Sequence, residues 1–320
     1  MDIEGNKKIR IEIKDWLYNA GIVGLCRVLK EAGVPVLQKD NYIEVDESAF
    51  DGFEKSFFNY FSETYKQNSL WYRLTGYYDA NFQDGIELQT DDEVKKKIAD
   101  FASNFSSELD RASYKTAYEI ITGDKDFIKE KTRVIKDKNI EPGEKLDKIA
   151  EIYDFFKKNK DLVQAKYVSY AVINNYWEGV SFLNKQQVKK NMFDLFKNDF
   201  VMPVLKFFQE PGIKKRPIHC RVCNREINSR GEAFEGLSWI KMDLDSARKT
   251  SVYWNYNTDI IICPVCHLVY ACVPAGFVTA RKRGIFLNYN TGIDRLIELN
   301  SVIEERLRDI ENLNELENIG

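Results

Sequence analysis

Apolar and polar residues alternate from Lys8 to Ile13, placing Ile9, Ile11 and Ile13 on one side, the period of a half-buried strand. The pattern changes at Asp15, a side chain suited to capping a helix. From Trp16 to about Ala32 the residues Leu17, Ala20, Leu25, Val28, Leu29 and Ala32 repeat at helical spacing, and Gly33 and Pro35 end the run. Gly21 and Gly24 lie inside it, and each costs about 1 kcal/mol of helix stability relative to alanine. That cost makes sense if another backbone packs closely there. Residues 42–45 return to the strand period, so the N-terminus reads as a small strand–helix–strand unit.

From residue 48 onward the helical period dominates. Residues 48–65 present Phe50, Phe53, Phe57, Phe58 and Phe61 on one face, an aromatic stripe expected in a core rather than around a cofactor. Further helices are expected over 91–109, 114–121, 126–135, 143–158, 162–173 and 186–208, with a polar connector at 137–143. Asp91 and Asp92 fall where carboxylates complement the start of a helix. The lysine runs 95–97 and 157–160 read as solvated faces. After Pro211 short extended pieces replace helices, at 260–262 behind Tyr253, Trp254 and Tyr256, and at 284–288. A last helix over 292–313 carries Leu296, Leu299, Ile303 and Leu307, and this apolar face needs a partner within the chain or outside it. The fold expected is α+β and predominantly helical, without internal repeats. It comprises a mainly helical domain over 1–210 with the small β unit, a β-rich insertion over 211–290, and a C-terminal helix over 291–320.

Charge sharpens the division. The chain of 320 residues has a formal net charge of −3, which excludes a globally basic nucleic-acid coat. Between Pro211 and Asn290, however, 12 Lys and Arg stand against 6 Asp and Glu, whereas residues 1–210 carry 32 against 36 and residues 291–320 carry 3 against 8. The basic part of an acidic chain is therefore the insertion. Aromatic residues make up 13% of the chain, and Gly and Pro are too sparse for a disordered protein. The longest apolar runs fall far short of a membrane span. A cytoplasmic location is expected, because the chain opens on Met1-Asp2-Ile3-Glu4 without an apolar signal segment.

The insertion also holds the chemistry. Cys220-Arg-Val-Cys223 is answered, after 39 intervening residues, by Cys263-Pro-Val-Cys266. Two cysteines three positions apart can turn both sulfurs toward one ion from a tight knuckle, and two knuckles complete a tetrahedron of thiolates around zinc. Asn224, Arg225 and Pro264 suit such turns. Disulfides or four buried thiols are the other readings; a reducing compartment disfavours the first. Four thiolates leave no open position for water, so the ion would be structural. His219 and His267, the only histidines, adjoin the ligand cysteines and are alternative ligands. Cys26 and Cys272 are expected to pack as small hydrophobes.

No phosphate-binding glycine loop, dinucleotide fingerprint, nucleophile elbow or His-Glu-x-x-His is present. No catalytic residue is therefore assigned, and a zinc-stabilised binding protein is expected, not an enzyme. Candidate nucleic-acid contacts are Lys214, Lys215 and Arg216 before the first knuckle, Arg221 and Arg225 on it, and Arg281, Lys282 and Arg283 after the second. Such residues neutralise phosphates and release counterions, with Tyr253, Trp254 and Tyr256 as stacking platforms. The competing reading is that they merely solubilise the insertion.

The stretch Asp15-Trp16-Leu17-Tyr18-Asn19-Ala20-Gly21-Ile22-Val23-Gly24-Leu25 resembles the opening of the Cst-family CRISPR-associated proteins, which also carry two Cys-x-x-Cys motifs, here Cys220/Cys223 and Cys263/Cys266. Tyr176-Trp177-Glu178-Gly179-Val180-Ser181-Phe182-Leu183-Asn184 is similar to another segment of that family. The resemblance implies the large subunit of the type I-B surveillance complex, Cascade. Such a subunit sits with guide RNA and the other Cascade subunits and reads the protospacer-adjacent motif (PAM) on double-stranded target DNA. It also helps open the duplex and recruit the helicase–nuclease, without being the nuclease. PAM reading needs polar groups at base edges, for which Asn174, Asn175, Asn255 and Asn257 have suitable chemistry; burial as caps or turn residues is their other fate. Relatives are usually longer and carry a C-terminal helical bundle, so functions seated there are not carried over. A metal-dependent nuclease and a protein-only adaptor are the alternatives.

Overall fold

The computed structural model describes residues 7–83, 90–209, 217–235, 239–241, 253–254, 257–258, 260–280 and 283–317. The fold is α+β and mostly helical, as expected. The elements in order are β1 (Lys8–Glu12), α1 (Trp16–Glu31), β2 (Leu37–Lys39), β3 (Tyr42–Asp46), α2 (Phe53–Thr64), α3 (Leu70–Asn81), α4 (Asp91–Leu109), α5 (Ala112–Thr122), α6 (Phe127–Lys136), α7 (Pro142–Lys158), α8 (Lys160–Ala171), α9 (Met192–Phe196) and, after a π-helical turn at Lys197–Val201, α10 (Met202–Gln209). Then come β4 (Ile218–His219), β5 (Glu226–Ile227), β6 (Phe234–Glu235), β7 (Tyr253–Trp254), β8 (Asn257–Thr258), β9 (Ile261–Ile262), α11 (Pro264–Ala271), α12 (Val273–Gly276), β10 (Val278–Ala280), β11 (Arg283–Ile285) and α13 (Ile293–Glu317).

The chain divides into two compact units. The first takes residues Met1–Tyr60, Tyr176–Glu178 and Phe193–Gly320, the second Phe61–Asn175 and Gly179–Met192. In the first, β1, β3 and β2 form an antiparallel sheet in that order, with Ile9 opposite Val45 and Ile11 opposite Ile43. All four of these side chains are buried. Helix α1 starts where Asp15 Oδ1 accepts from the amides of Leu17 and Tyr18, both at 3.0 Å, satisfying two of the free N–H groups of the first turn. It packs on α11 and α12. A Cβ added at Gly24 would stand 2.0 Å from the carbonyl oxygen of Cys272, and one at Gly21 would stand 2.3 Å from that of Val269. The close backbone approach that the two glycines imply is present, and it sets where Tyr18 and Leu25 fall.

Helix α13 finds its partner inside this unit. Ile293, Leu296 and Asn300 are buried, and the helix packs on α1, β2 and β10. Asn300 uses its whole amide: Nδ2 donates to the carbonyls of Leu287 and Leu296, and Oδ1 accepts from the Leu287 amide. Arg27 of α1 donates to the carbonyls of Ala275, Gly276 and Asn300 and lies 3.0 Å from Glu304, tying α1, α12 and α13 together. This pair is mostly withdrawn from water, so truncating one member leaves a buried charge unmatched.

Two segments depart from the sequence expectation. The single helix expected over 186–208 begins only at Met192 and widens into the π-helical turn, because Asn184 holds a turn on Gln186 and Pro203 has no amide proton to give the preceding turn. Within 211–290 the described strands are two or three residues long, and residues 264–276 are helical.

The second unit is a helical cluster of α3 to α8 around Leu74, Phe101, Tyr118, Ile149, Ile152 and Phe156. Tyr78 stacks on Tyr153 at 3.9 Å, and Trp71 Nε1 donates to the Phe156 carbonyl at 2.8 Å. Thr90 and Glu93 form the capping box of α4, with Asp91 and Asp92 in its first turn. Lys166 in α8 is 1% exposed, and its Nζ donates to the Val188 carbonyl at 2.8 Å. Burial pushes its ammonium down to about 8 from 10.5. A lysine whose folded pKa lies below its unfolded value destabilises the fold while both states are protonated, and stability rises as pH climbs from about 8 to 10.5. The full effect is roughly 3 kcal/mol. Lys166→Met is expected to raise the thermal midpoint at pH 7 and to abolish this part of the rise between pH 8 and 10.5, read as the difference between the two proteins by calorimetry.

Candidate metal centre

The four cysteines reach one point from two kinds of local structure. Strands β4 and β5 pair antiparallel, with His219 opposite Glu226, and Cys220 to Cys223 form the tip of this hairpin. The tip closes through Asn224 N to Cys220 O and Cys220 N to Arg225 O, each 2.9 Å. Asn224 takes φ +61, in the left-handed region that asparagine tolerates better than most side chains. The second pair opens a helix. Cys263 is the N-cap of α11, Pro264 occupies the first position, where its missing N–H is no loss, and Cys266 follows one turn later on the same side. Strand β9 brings the two together: it pairs with β6, and its Ile261 carbonyl accepts from the Arg221 amide at 2.8 Å.

The resulting sulfurs all lie within 4.8 Å of one another. Cys223 and Cys263 are 3.5 Å apart, close to the roughly 3.8 Å between ligand sulfurs around a tetrahedral zinc. None of the six cysteines is in a disulfide. Three ligand candidates are buried and Cys223 is partly exposed. The donor set, its compactness and its burial fit one thiolate-bound ion, around which four sulfurs would leave no position for water or substrate. The N-terminus of α11 adds its partial positive charge beside Cys263 and Cys266.

Protonation is consistent with this. Hydrogen bonding with Cys223 holds the Cys220 thiol far below the usual range, while hydrogen bonding with Cys220 pushes Cys266 far above it. Four adjacent sulfurs cannot all ionise without a cation among them, and a divalent ion displaces the protons they share. Arg225 is charged beside them: burial opposes its charge, and Cys223 and Cys263 outweigh that effect. Its Nη1 donates to Cys223 Sγ at 3.4 Å, and Nη2 donates to the Arg10 carbonyl of β1. Tyr18, fully buried on α1, places its hydroxyl 3.4 Å from Cys266 Sγ, and Asp15, which caps the same helix, accepts from Tyr270 of α11. Burial and Cys266 both push the Tyr18 phenol up, so it keeps its proton.

Neither histidine joins the cluster. His219 is exposed, with Nδ1 at 3.3 Å from the Asn224 carbonyl. His267 is buried between the rings of Phe234, at 3.7 Å, and Phe200, at 4.8 Å, and burial pushes its imidazole down to about 3, leaving it neutral. Cys26 of α1 and Cys272, between α11 and α12, are both buried, and burial pushes the Cys26 thiol up to about 12.

The basic candidates fall in different places. Arg221 is exposed on the knuckle and Arg283 is exposed on β11, whereas Arg225 is turned into the metal centre. Lys214, Lys215, Arg216, Arg281 and Lys282 lie outside the described residues, as do Tyr256 and Asn255. Asn174 is half-buried and Asn175 donates to the Ala171 carbonyl. The contribution of Tyr18 had no sequence signal, because it is 248 residues from Cys266 and no spacing rule joins them. Trp177, in the other family-like segment, is fully buried. It bridges to Ile240, packs edge-on to Trp239 at 5.3 Å and stacks on Phe57 at 5.9 Å.

This is a candidate metal-binding module, made of a hairpin knuckle facing a helix N-terminus, with α1 as its third wall. Residues 214–278, which contain the whole module except α1, match the family model described as CRISPR-associated protein (Cas_CXXC_CXXC). Over this span the chain carries the signature of CRISPR-associated proteins with a Cys-x-x-Cys motif pair. No curated protein and no solved structure matches the chain. Among the described residues no helix is long and apolar enough to cross a membrane.

Proposed function

We propose that the chain is the large subunit of a type I-B CRISPR surveillance complex. It is a non-catalytic cytoplasmic protein that works with guide RNA and the other Cascade subunits. It reads the PAM on double-stranded target DNA, contacts that DNA during R-loop formation, and helps recruit the helicase–nuclease. The observation that carries the reading is the coincidence of the matched family segment with the four-sulfur cluster. The ion is zinc and its role is structural: it fixes the hairpin tip that displays Arg221 in the basic part of the chain. Guide pairing reads the target sequence, so the protein needs only backbone contacts and a few base-edge contacts at the PAM, a division of labour described for another class of RNA-guided effector.

The test is assembly of the complex from this chain, a guide RNA and the other subunits, followed by binding to duplexes that differ only in the PAM. Tight binding that depends on the PAM and on this chain is expected. Reversing Arg281, Lys282 and Arg283 to glutamate should weaken it and flatten the slope of log K against log salt by about 0.9 for each phosphate no longer neutralised. Unchanged binding removes these residues from the interface. Cleavage of plain DNA by the isolated chain with Mg²⁺ or Mn²⁺ identifies a nuclease instead, and assembly without salt-dependent DNA binding identifies an adaptor.

A further inference from the structure

We propose that Tyr18 and Arg225 belong to the metal centre as positioning residues, and that through them the bound ion fixes the N-terminal strand and helix of the chain. The inference goes beyond the CRISPR reading and depends only on the four-cysteine site.

One divalent ion with four thiolates carries a net −2, and most of this site is withdrawn from water. Buried negative charge needs donors. A metal-bound thiolate has no proton, so at the 3.4 Å contact between Tyr18 and Cys266 the hydroxyl is the donor. At the 3.4 Å contact with Cys223 the guanidinium of Arg225 is the donor, and it brings a full positive charge as well. The two act on different ligand pairs, one sulfur from the helix and one from the knuckle. The Cys263 amide donates to Cys220 Sγ at 3.3 Å.

Both donors are tied to the N-terminal segment. Tyr18 is on α1, one turn before Gly21 and six residues before Gly24, whose lack of side chains allows the helix to lie on α11 and α12. Arg225 spans from Cys223 to the backbone carbonyl of Arg10 in β1. Each donor therefore connects an ion ligand to residues more than 200 positions away in sequence. When the ion binds, the sulfurs become full acceptors and both connections strengthen. By linkage, whatever holds α1 in place also raises metal affinity.

The test uses the whole 320-residue chain. Metal affinity is measured by competition between the protein and a chromophoric chelator for Co²⁺ and for Zn²⁺, in the wild type, Tyr18→Phe and Arg225→Met. Tyr18→Phe removes a single oxygen and keeps the ring. Each variant is expected to bind the metal about 10- to 100-fold more weakly. Hydrogen exchange over 17–25 should be slow in the metal-loaded wild type and faster once the metal is chelated, and Tyr18→Phe should shrink that difference. Wild-type affinity in both variants overturns the proposal. So does a loss of thermal stability that is equal with and without metal, which would mark the two side chains as ordinary packing. A wild type that takes up no metal overturns it together with the metal centre itself.

Discussion

Gly24→Ala is expected to destabilise the chain by roughly 3 kcal/mol or more, although an alanine in a helix interior ordinarily stabilises by about 1 kcal/mol. The reversal of sign comes from what the new methyl group meets. It would lie 2.0 Å from the Cys272 carbonyl oxygen and 2.8 Å from the Gly276 amide nitrogen, and both are backbone atoms that cannot rotate aside. Helices α1 and α12 would have to separate. That would loosen the buried contacts of Ile22, Leu25 and Leu29 and move Tyr18 off Cys266. The reciprocal change, Gly276→Ala, meets the Ala20 carbonyl at 1.9 Å and should behave alike. Gly76, inside α3 with no atom within 4 Å of its added methyl, is the control: Gly76→Ala should stabilise by about 0.5–1 kcal/mol. Denaturant midpoints of the three variants decide the matter. A neutral or stabilising Gly24→Ala would mean that α1 does not lie on α12 as described.

Stripping the ion is expected to have a larger effect still. A structural zinc contributes about 10–16 kcal/mol of apparent binding free energy at neutral pH, whereas a folded protein has only about 5–15 kcal/mol of net stability. The first unit is therefore expected to lose its native packing without it. Chelation, or Cys263→Ser, should expose the amides of residues 218–235 and 260–276 to hydrogen exchange, together with those of α1. The helices α4 to α7 should exchange at their original rates, because the second unit has its own core of Phe101, Tyr118, Ile149 and Phe156 and no ligand cysteine. Equal protection across 218–276 with and without chelator would rule out a structural ion.

Much of this was legible in the residues, and the reasons differ from element to element. Helix α4 matches its expected span of 91–109 because a capping sequence and a sustained apolar period coincide there. Helix α1 was marked at its start by Asp15, and its two glycines pointed to a backbone neighbour without saying which. Helix α11 is buried on every side, so it shows no polar period and reads in the sequence only as an apolar run. Helix α3 is absent from the sequence expectation, although Ser69, whose Oγ accepts from the Tyr72 amide, is a start signal for it. The four cysteines announced themselves by spacing. Their surroundings did not: Tyr18 and Arg10 reach the centre only through the tertiary path of α1 and β1, and no local pattern encodes that path.

One ion is expected to join the hairpin tip to the start of α11. Elemental analysis of the purified chain, combined with X-ray absorption at the metal edge, tests it most directly. One zinc per chain, surrounded by four sulfurs at about 2.3 Å and lost in a Cys220→Ser, Cys263→Ser double variant, is the expected result. A natively folded chain free of metal, or an ion bound mainly by nitrogen and oxygen, would contradict it.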